Sequence, residues 1–435
     1  MPEAPTREMR QILAQANKLE EMRIPAAIVI DLINRILFSE GDVSVSRFAD
    51  IMKVSNQIID EVLTDMQQER LVEVAKAGQL GRMSYTYRLV DEGMKRARDS
   101  MEKSTYIGPA PVPLEDYNDV VMLQAAAGAN KRRITPDAVR QALSHLVLPE
   151  NFHRKIGPAL NAGSSLFLYG PPGNGKTTVA EVCARLLAGT EPIWMPYAVT
   201  VGGQIIQVFD PLVHEAVDVG QTQTERLGRV DRRWALIKRP AVMVGGELVM
   251  DSLDLRFESI AKFYEAPLQM KANGGMFLID DFGRQQISPQ QLLNRWIVPL
   301  ESRKDFLRLQ SGQTVEVPFQ QLIVFSTNLD PTDLTDSAFL RRIQMKVEVK
   351  SPDEKMFYQI FGIMCKLYKL QFDKDVFLHL LNKWYRSSGR VMQSVHPRDI
   401  LKTVISICEY EGIQPRLTTQ LVDEACESYF VSSQQ

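Results

Sequence analysis

The sequence has few cysteines and no long apolar run, and these absences exclude several classes of protein. Its four cysteines, Cys183, Cys365, Cys408 and Cys426, show no CxxC spacing, which argues against a zinc site or a disulfide framework and fits reduced thiols. No apolar run approaches the roughly 20 residues needed to cross a bilayer. No secretory signal is visible at the N-terminus. We therefore expect a cytoplasmic protein without membrane contact.

The chain also lacks an excess of charge of either sign. Its formal net charge is −2, so no global basic field would attract nucleic acid. With 45% hydrophobic and 24% charged residues, the composition is typical of a globular protein. A chain of 435 residues is too long for one hydrophobic core, and two or three domains are expected.

Composition and periodicity divide the chain into four parts. Three alternating prolines near residue 110 favour an extended spacer, strand-like and helix-like segments alternate after it, and the last part is helical throughout. The predicted parts are a winged-helix domain (1–104), a proline-rich linker (105–113), an α/β core (114–350) and a helical lid (351–435).

The winged-helix prediction depends on the order of elements in the first part. This order is helix, helix, turn, helix, two paired strands and helix. The predicted helices are Pro25–Ser39, Val45–Met52, a third that Ser55 caps and that ends near Glu69, and Asp91–Met101, with strands at Leu71–Val74 and Tyr85–Leu89.

Charge on the third helix argues against DNA binding by that helix. It carries four acidic residues, Asp60, Glu61, Asp65 and Glu69. A duplex would repel this face. The wing and the next helix are mildly basic, with Lys76, Arg82, Arg88, Lys95, Arg96 and Arg98. We interpret the domain as one that docks a protein, and nucleic-acid contact through another face stays an alternative.

A glycine-rich segment stands between an apolar strand, Leu166–Tyr169, and a helix, Val179–Leu187. Its spacing is that of a P-loop, in which glycines let backbone N–H groups converge on phosphate oxygens at a helix N-terminus. In this pattern Lys176 reaches the phosphates and Thr177 offers a hydroxyl to Mg²⁺. The nine residues are Gly170, Pro171, Pro172, Gly173, Asn174, Gly175, Lys176, Thr177 and Thr178.

A second apolar strand, Met276–Ile279, ends in two acidic residues. Asp280 is in the position of a carboxylate that holds Mg²⁺, and Asp281 is placed to orient and deprotonate the attacking water. An apolar strand that ends in an acid is common, so this interpretation depends on the P-loop upstream.

Together these segments resemble the AAA+ superfamily of ATPases, as do two later ones. Leu322–Asn328 is similar to the sensor 1 strand, and the resemblance implies that Asn328 positions water near the γ-phosphate. His396–Ile400 is similar to the sensor 2 motif, which implies that Arg398 contacts the phosphates from the lid. The alternatives are an ordinary turn after Asn328 and a surface arginine at a helix start.

The resemblance also implies an arginine that enters the active site of a neighbouring subunit. Arg341 and Arg342 both stand near the family's position, and the sequence does not choose between them. Because such an arginine finger acts in trans, the resemblance implies a homo-oligomeric ring, most simply a hexamer, that binds ATP and ADP.

Two departures from the family pattern stand out. Asp281 replaces the usual glutamate and is one methylene shorter. The stretch Glu191–Met270 is long, and its glycine pairs predict hairpins around Gly202-Gly203 and Gly245-Gly246. A further hairpin is predicted around Ser311–Gln313. Such hairpins weakly resemble the MoxR-like clade.

The function expected from these features is hydrolysis of ATP with Mg²⁺ that drives conformational remodelling of a protein client. Two alternatives stay open. One is a DNA-associated ATPase or transcription regulator that acts through the winged helix. The other is a nucleotide-gated switch with slow turnover, which the shorter Asp281 permits.

Overall fold

The structure is a computed structural model, and it describes residues 7–78, 82–129, 134–218, 229–334 and 337–430. The chain divides into two compact units. The first consists of Met1–Arg133, Leu187–Phe277 and Leu292–Leu322, and the second of Ile134–Leu186, Leu278–Gln291 and Ile323–Gln435. In the described ranges, no helix has the length and apolar character that a membrane span requires.

The helices of the described residues begin and end as follows: α1 Arg7–Ile12, α2 Ala26–Glu40, α3 Val45–Met52, α4 Asn56–Gln68, α5 Asp91–Lys103, α6 Leu114–Ala129, α7 Pro136–Leu143, α8 Phe152–Ala162, α9 Lys176–Ala188, α10 Leu268–Lys271, α11 Pro289–Ser302, α12 Pro331–Leu334, α13 Ser337–Arg342, α14 Glu354–Leu367, α15 Lys374–Leu380, α16 His396–Tyr410 and α17 Thr419–Tyr429.

The strands are β1 Val43–Ser44, β2 Val72–Lys76, β3 Thr86–Leu89, β4 Val112–Pro113, β5 Ser165–Tyr169, β6 Ile193–Pro196, β7 Ala198–Val201, β8 Gln204–Gln207, β9 Trp234–Ile237, β10 Ala241–Val244, β11 Arg256–Glu258, β12 Phe263–Glu265, β13 Met276–Ile279, β14 Lys304–Arg308, β15 Thr314–Pro318, β16 Leu322–Thr327 and β17 Met345–Glu348. Alternation of helices and strands confirms the predicted α/β class.

In the first unit, the N-terminal elements follow the predicted order. Helices α2, α3 and α4 precede the antiparallel pair β2–β3, and α5 comes last. The Ser55 hydroxyl accepts a hydrogen bond from the Ile58 N–H, as expected of a helix cap. Leu32, Phe48 and Ile59 are fully buried between the helices and strands. The winged-helix assignment itself stays a prediction.

The proline-rich stretch is extended but packed. Val112–Pro113 forms β4, which pairs in parallel with β7. Tyr106 and Ala110 are buried in the apolar cluster that also holds the α2–α4 core. The predicted boundaries of this stretch and of its neighbours remain predictions.

Two of the three predicted hairpins are confirmed. Strands β7 and β8 pair antiparallel around Gly202 and Gly203, whose φ angles are +56° and +76°. Strands β14 and β15 pair antiparallel around Gly312. The first turn matches its glycine pair, because a two-residue hairpin loop of type I′ needs positive φ at both central positions. In the longer second loop, Gly312 provides a single positive φ of +85°.

The predicted hairpin at Gly245-Gly246 is wrong. The apolar run before it is divided into β9, which pairs with β6, and β10, which lies next to β13. Neither glycine has a positive φ, and the Glu247 carboxylate accepts the Gly245 N–H in a local turn. The apolar residues of β9 and β10 pair with strands that lie far away in the sequence. A glycine pair indicates only a local turn, so it does not predict these pairings.

In the second unit, the neighbouring strands of one sheet are the end of β13, then β16, β5 and β17. Strands β16 and β17 flank β5, and both run parallel to it. The C-terminal helices α14–α17 enclose a separate aromatic core around Phe357, Phe361 and Tyr385, which confirms the predicted all-helical region. Parallel strands bring their carboxyl ends to one edge, where P-loop and sensor-like residues would meet.

Candidate functional site

The loop between β5 and α9 depends on glycine at three positions. Gly170, Gly173 and Gly175 have φ angles of +132°, +71° and +86°, a region that other residues rarely enter. A Cβ atom on Gly170 would also lie 2.5 Å from the Val349 carbonyl oxygen. The sequence therefore folds here into a loop whose backbone turns tightly around the N-terminus of α9.

Lys176, the first residue of α9, is almost fully buried, with 6% of its surface exposed. Its ammonium group donates to the carbonyl oxygens of Gly170 (2.8 Å) and Pro171 (2.9 Å) and to Asn328 Oδ1 (2.7 Å). Burial lowers the pKa of Lys176, while the charges of Asp280 and Asp281 act in the opposite direction. The loop thus binds the charged Lys176 side chain through its own carbonyl oxygens.

Asp280 and Thr177 form the neighbouring pair. The Thr177 hydroxyl donates to Asp280 Oδ2 at 2.7 Å. No cluster of three or more potential ligands among histidine, cysteine, aspartate and glutamate occurs in the described part of the chain. Mg²⁺ is usually held by one or two carboxylates, a hydroxyl and substrate phosphates, so these hard oxygen ligands fit that ion. Thr177 and Asp280 would hold it.

Asp281 is held in an unusual backbone conformation. Its φ is +49°, which is uncommon outside glycine and more tolerable for aspartate than for most residues. Its N–H donates to Asp280 Oδ1 (3.0 Å), and its Oδ1 accepts from Asn328 Nδ2 (3.1 Å). The left-handed backbone gives a physical reason for aspartate here in place of the family's glutamate.

The side-chain amide of Asn328 links Lys176 to Asp281. Its oxygen accepts a hydrogen bond from the Lys176 ammonium group, and its nitrogen donates one to the Asp281 carboxylate. The turn after Asp281 is hydrogen-bonded to strand β16, and Asn328 directly follows this strand. The Phe282 N–H donates to Ser326 O (2.7 Å), and the Thr327 hydroxyl donates to Phe282 O (2.6 Å). Asn328 and both aspartates are therefore positioned by one network of hydrogen bonds.

Lys176, Asp280, Asp281 and Asn328 line a cavity of about 350 Å³ in the second unit. The lining residues Pro172–Thr178, Asp280, Asp281 and Asn328 are referred to as its polar end. Six apolar lining residues that sequence reasoning missed are referred to as its apolar end, namely Leu146, Val147, Leu148, Ile360, Ile363 and Met364. No pattern in the sequence marks these six, because apolar residues of this kind also fill ordinary cores.

Arg398 is the third residue of α16 and lines the same cavity. Its Nε donates to Asp399 Oδ1 (2.8 Å), and the Tyr429 hydroxyl donates to Asp399 Oδ2 (3.2 Å). About half of the Arg398 side chain is exposed. The structure therefore places the sensor 2 candidate with the P-loop, Asp280, Asp281 and Asn328.

The two arginine-finger candidates lie elsewhere. Arg341 and Arg342 end α13, and neither lines the cavity of its own chain. Arg341 is exposed and Arg342 is half-buried. The Ser165 hydroxyl donates to the backbone oxygen of Arg342 (3.3 Å).

Comparison with known proteins gives three findings. A domain of unknown function, DUF8689, matches residues 353–428. An AAA ATPase forming ring-shaped complexes, from Rothia mucilaginosa, is 27% identical over 257 residues, which is 58% of this chain and 34% of that protein. The vesicle-fusing ATPase of Dictyostelium discoideum is 39% identical over 56 residues, 13% of this chain and 7% of that protein.

The resemblance to AAA+ proteins is confirmed. Both curated relatives are ATPases by name, and the longer match covers more than half of this chain. The chain spans about a third of the length of the first relative. Among solved structures, NtrX of Brucella abortus in complex with ATP has a TM-score of 0.39 at 10% identity, covering 79% of this chain and 62% of NtrX. At that score the similarity is too low to support an inference.

The residues that resemble AAA+ motifs therefore lie together at one cavity, while the role of each remains a prediction. Gly170 and Pro171 do not line the cavity, and their carbonyl oxygens accept hydrogen bonds from Lys176. The role of the two finger candidates also remains a prediction.

Proposed function

We propose that this chain binds ATP with Mg²⁺ and hydrolyses it. The proposal depends on one observation. Five side chains line the same cavity as the glycine-rich loop, namely Lys176, Thr177, Asp280, Asp281 and Asn328. A buried cation, oxygen ligands for a metal and a carboxylate tied to a sensor amide are the parts that phosphoryl transfer to water requires.

Binding would begin at the loop. The N-terminus of α9 and the backbone N–H groups before it favour negative charge, and the triphosphate would lie against them. Lys176 would exchange its contacts with backbone carbonyl oxygens for phosphate oxygens, which neutralise its charge more fully. The apolar end would accept the base, because Val147, Ile363 and Met364 offer contact surface without competing charges.

Hydrolysis would depend on Asp281 and Asn328. The Asp281 carboxylate would accept a proton from the attacking water, and Asn328 would hold that carboxylate and the water in line with the γ-phosphate. Mg²⁺, held by Thr177 and Asp280, would neutralise charge on the phosphate oxygens. Arg398 of α16, which also lines the cavity, would add positive charge.

We extend the proposal to a ring of identical subunits, most simply a hexamer. Arg341 is exposed and Arg342 half-exposed, and both lie outside the cavity of their own chain, which suits an arginine that completes a neighbour's site. The Rothia mucilaginosa relative is described as forming ring-shaped complexes.

For the N-terminal elements we propose a winged-helix domain that docks a protein client in the cytoplasm. Three arginines of the wing and α5 are paired with carboxylates, which reduces the positive charge that they offer to a nucleic acid. The pairs are Arg82–Asp60 (3.3 Å), Arg88–Glu73 (3.1 Å) and Arg96–Glu69 (2.9 Å). Stimulation of ATP hydrolysis by duplex DNA, falling steeply with salt, would favour the nucleic-acid alternative.

A slow nucleotide-gated switch is a second candidate. The shorter Asp281 side chain and its left-handed backbone favour it, because both change where the carboxylate can reach. The two candidates differ in time course. A switch would release about one phosphate per subunit and then stop, whereas a motor would continue to release phosphate at a steady rate.

Phosphate release from ATP by the purified protein tests the proposal. We expect steady release that requires Mg²⁺ and is abolished by Asp280→Asn, since that change weakens the metal site without altering its size. Absence of release from the wild-type protein at any Mg²⁺ concentration would reject hydrolysis. Proteins retained by Asp281→Asn in the presence of ATP, but not by Lys176→Ala, would identify the client.

A further inference from the structure

The side chain of Asn174 has no role in a P-loop that binds phosphate through its backbone, yet it is almost fully buried, with 4% exposed. Its Oδ1 accepts a hydrogen bond from the Ser394 N–H at 3.0 Å, and its Nδ2 donates to Ser351 Oγ at 3.1 Å. These partners lie 220 and 177 residues away in the sequence. One amide group therefore joins the loop to two separate segments of the C-terminal helical region.

Each of these two segments leads into a helix that lines the cavity. Ser351 precedes α14, which carries Ile360, Ile363 and Met364 at the apolar end. Ser394 precedes α16, which carries Arg398, another residue of the cavity lining. An α-helix is stiff and rises about 1.5 Å per residue, so a shift at its first turn moves side chains further along it.

The loop and the second segment are in close contact beside this amide. The Val395 N–H donates to the Gly173 carbonyl oxygen at 2.9 Å. A Cβ atom on Gly173 would lie 2.7 Å from Gln393 Oε1 and 2.8 Å from Val395 Cγ1. The backbone bond and the Asn174 side chain thus act on consecutive residues at the start of α16.

We propose that Asn174 is a positioning residue that sets the place of α14 and α16 relative to the P-loop, so that bound nucleotide meets Met364 and Arg398 in one geometry. The kinetic part of this inference rests on the proposed ATPase function. The structural part concerns the free protein and can be tested without nucleotide.

The first test measures hydrogen exchange in the nucleotide-free protein. Asn174→Ala removes the acceptor for the Ser394 N–H, so peptides that cover residues 391–399 should exchange faster than in the wild-type protein. Asn161→Ala is the control, because its amide makes hydrogen bonds with the Ile134 N–H (3.1 Å) and the Ile134 carbonyl oxygen (2.9 Å) and does not line the cavity. Unchanged exchange of residues 391–399 in Asn174→Ala would overturn the inference.

The second test is a double-mutant cycle on ATP hydrolysis. Loss of one buried hydrogen-bonding group is expected to lower kcat about tenfold in Asn174→Ala. In an Arg398→Ala background the same change should lower kcat less than twofold, because the residue it positions is gone. A purely structural defect would instead reduce kcat by the same factor in both backgrounds, which would contradict positioning through Arg398. Ser351→Ala, which removes one of the two bonds, should raise the KM for ATP with a smaller change in kcat.

The two proposals fail in different ways. If the wild-type protein hydrolyses no ATP but residues 391–399 exchange faster in Asn174→Ala, the ATPase function is rejected. The structural role of Asn174 is then still supported. Normal hydrolysis with identical kcat and KM in Asn174→Ala would keep the function and reject the positioning role.

Discussion

The two ends of the cavity differ in how strictly geometry selects their residues. At the polar end, each hydrogen bond requires a particular donor or acceptor within about 3 Å, so few residue types can serve. Lys176, Asp281 and Asn328 meet this demand with two hydrogen bonds, both of which Asn328 makes. At the apolar end, any side chain of suitable size supplies contact surface. A motif therefore marks one end and none marks the other.

Among substitutions at the two ends, Lys176→Ala should cause the largest loss of ATP affinity. This change removes the buried ammonium that would neutralise the triphosphate. We expect ATP affinity to fall about 100-fold or more, or roughly 2.7 kcal/mol, as measured by calorimetry. Unchanged circular dichroism would show that the fold survives. Affinity within threefold of wild type would mean that the polar end does not bind phosphate.

Asp281→Asn should separate binding from turnover at the polar end. Asparagine keeps an acceptor for Asn328 Nδ2 but cannot take a proton from water, so kcat should fall about 100-fold while ATP affinity changes less than about threefold. Phosphate release and fluorescent-nucleotide binding measure the two quantities. Full turnover in this variant would remove Asp281 from the catalytic role.

A smaller effect is expected at the apolar end. Ile363→Ser removes apolar contact with the base, and at about 25 cal/mol per Å² the loss is about 1–2 kcal/mol, or roughly tenfold in affinity. ATP and ADP should be affected equally, because an apolar side chain offers no group that would bind a phosphate. Leu367→Ser, one turn further along α14 and outside the cavity, is the control. A loss confined to ATP would contradict this division of the cavity.

The smallest effect is a pH dependence confined to the polar end. Burial lowers the pKa of Lys176 from its ordinary value of 10.5, so the free protein loses the ammonium charge at a lower pH than a free lysine would. ATP affinity should therefore decline a few-fold as pH rises, with onset below pH 10.5. Ile363→Ser should keep this profile, and Lys176→Arg should lose it. Affinity that rises with pH would contradict the assignment of Lys176.

Local chemistry made much of the site predictable from sequence. The loop between β5 and α9 follows from its glycines, and the hairpin at Gly202-Gly203 follows from two positive φ angles that glycine provides. Asp280 was predictable because an acidic residue ends a buried strand downstream of a P-loop. For the loop and the hairpin, the signal and the structure lie in the same short segment, whereas the interpretation of Asp280 also needs the P-loop upstream.

Other features depend on contacts that no short segment contains. Gly245-Gly246 resembles a hairpin turn, but β9 and β10 on its N-terminal side pair with other strands. The bonds of Asn174 cross about 200 residues, and the left-handed backbone at Asp281 has no sequence signature. Long-range pairing and backbone strain therefore account for what the sequence did not predict.

Titration of ATP with Mg²⁺ into the wild-type protein and into Lys176→Ala, followed by calorimetry, tests the central claim most directly. The account predicts binding heat that saturates at about one nucleotide per wild-type chain and disappears in the variant. Absence of heat in the wild-type protein, or equal heat in both, would contradict a nucleotide site built on Lys176.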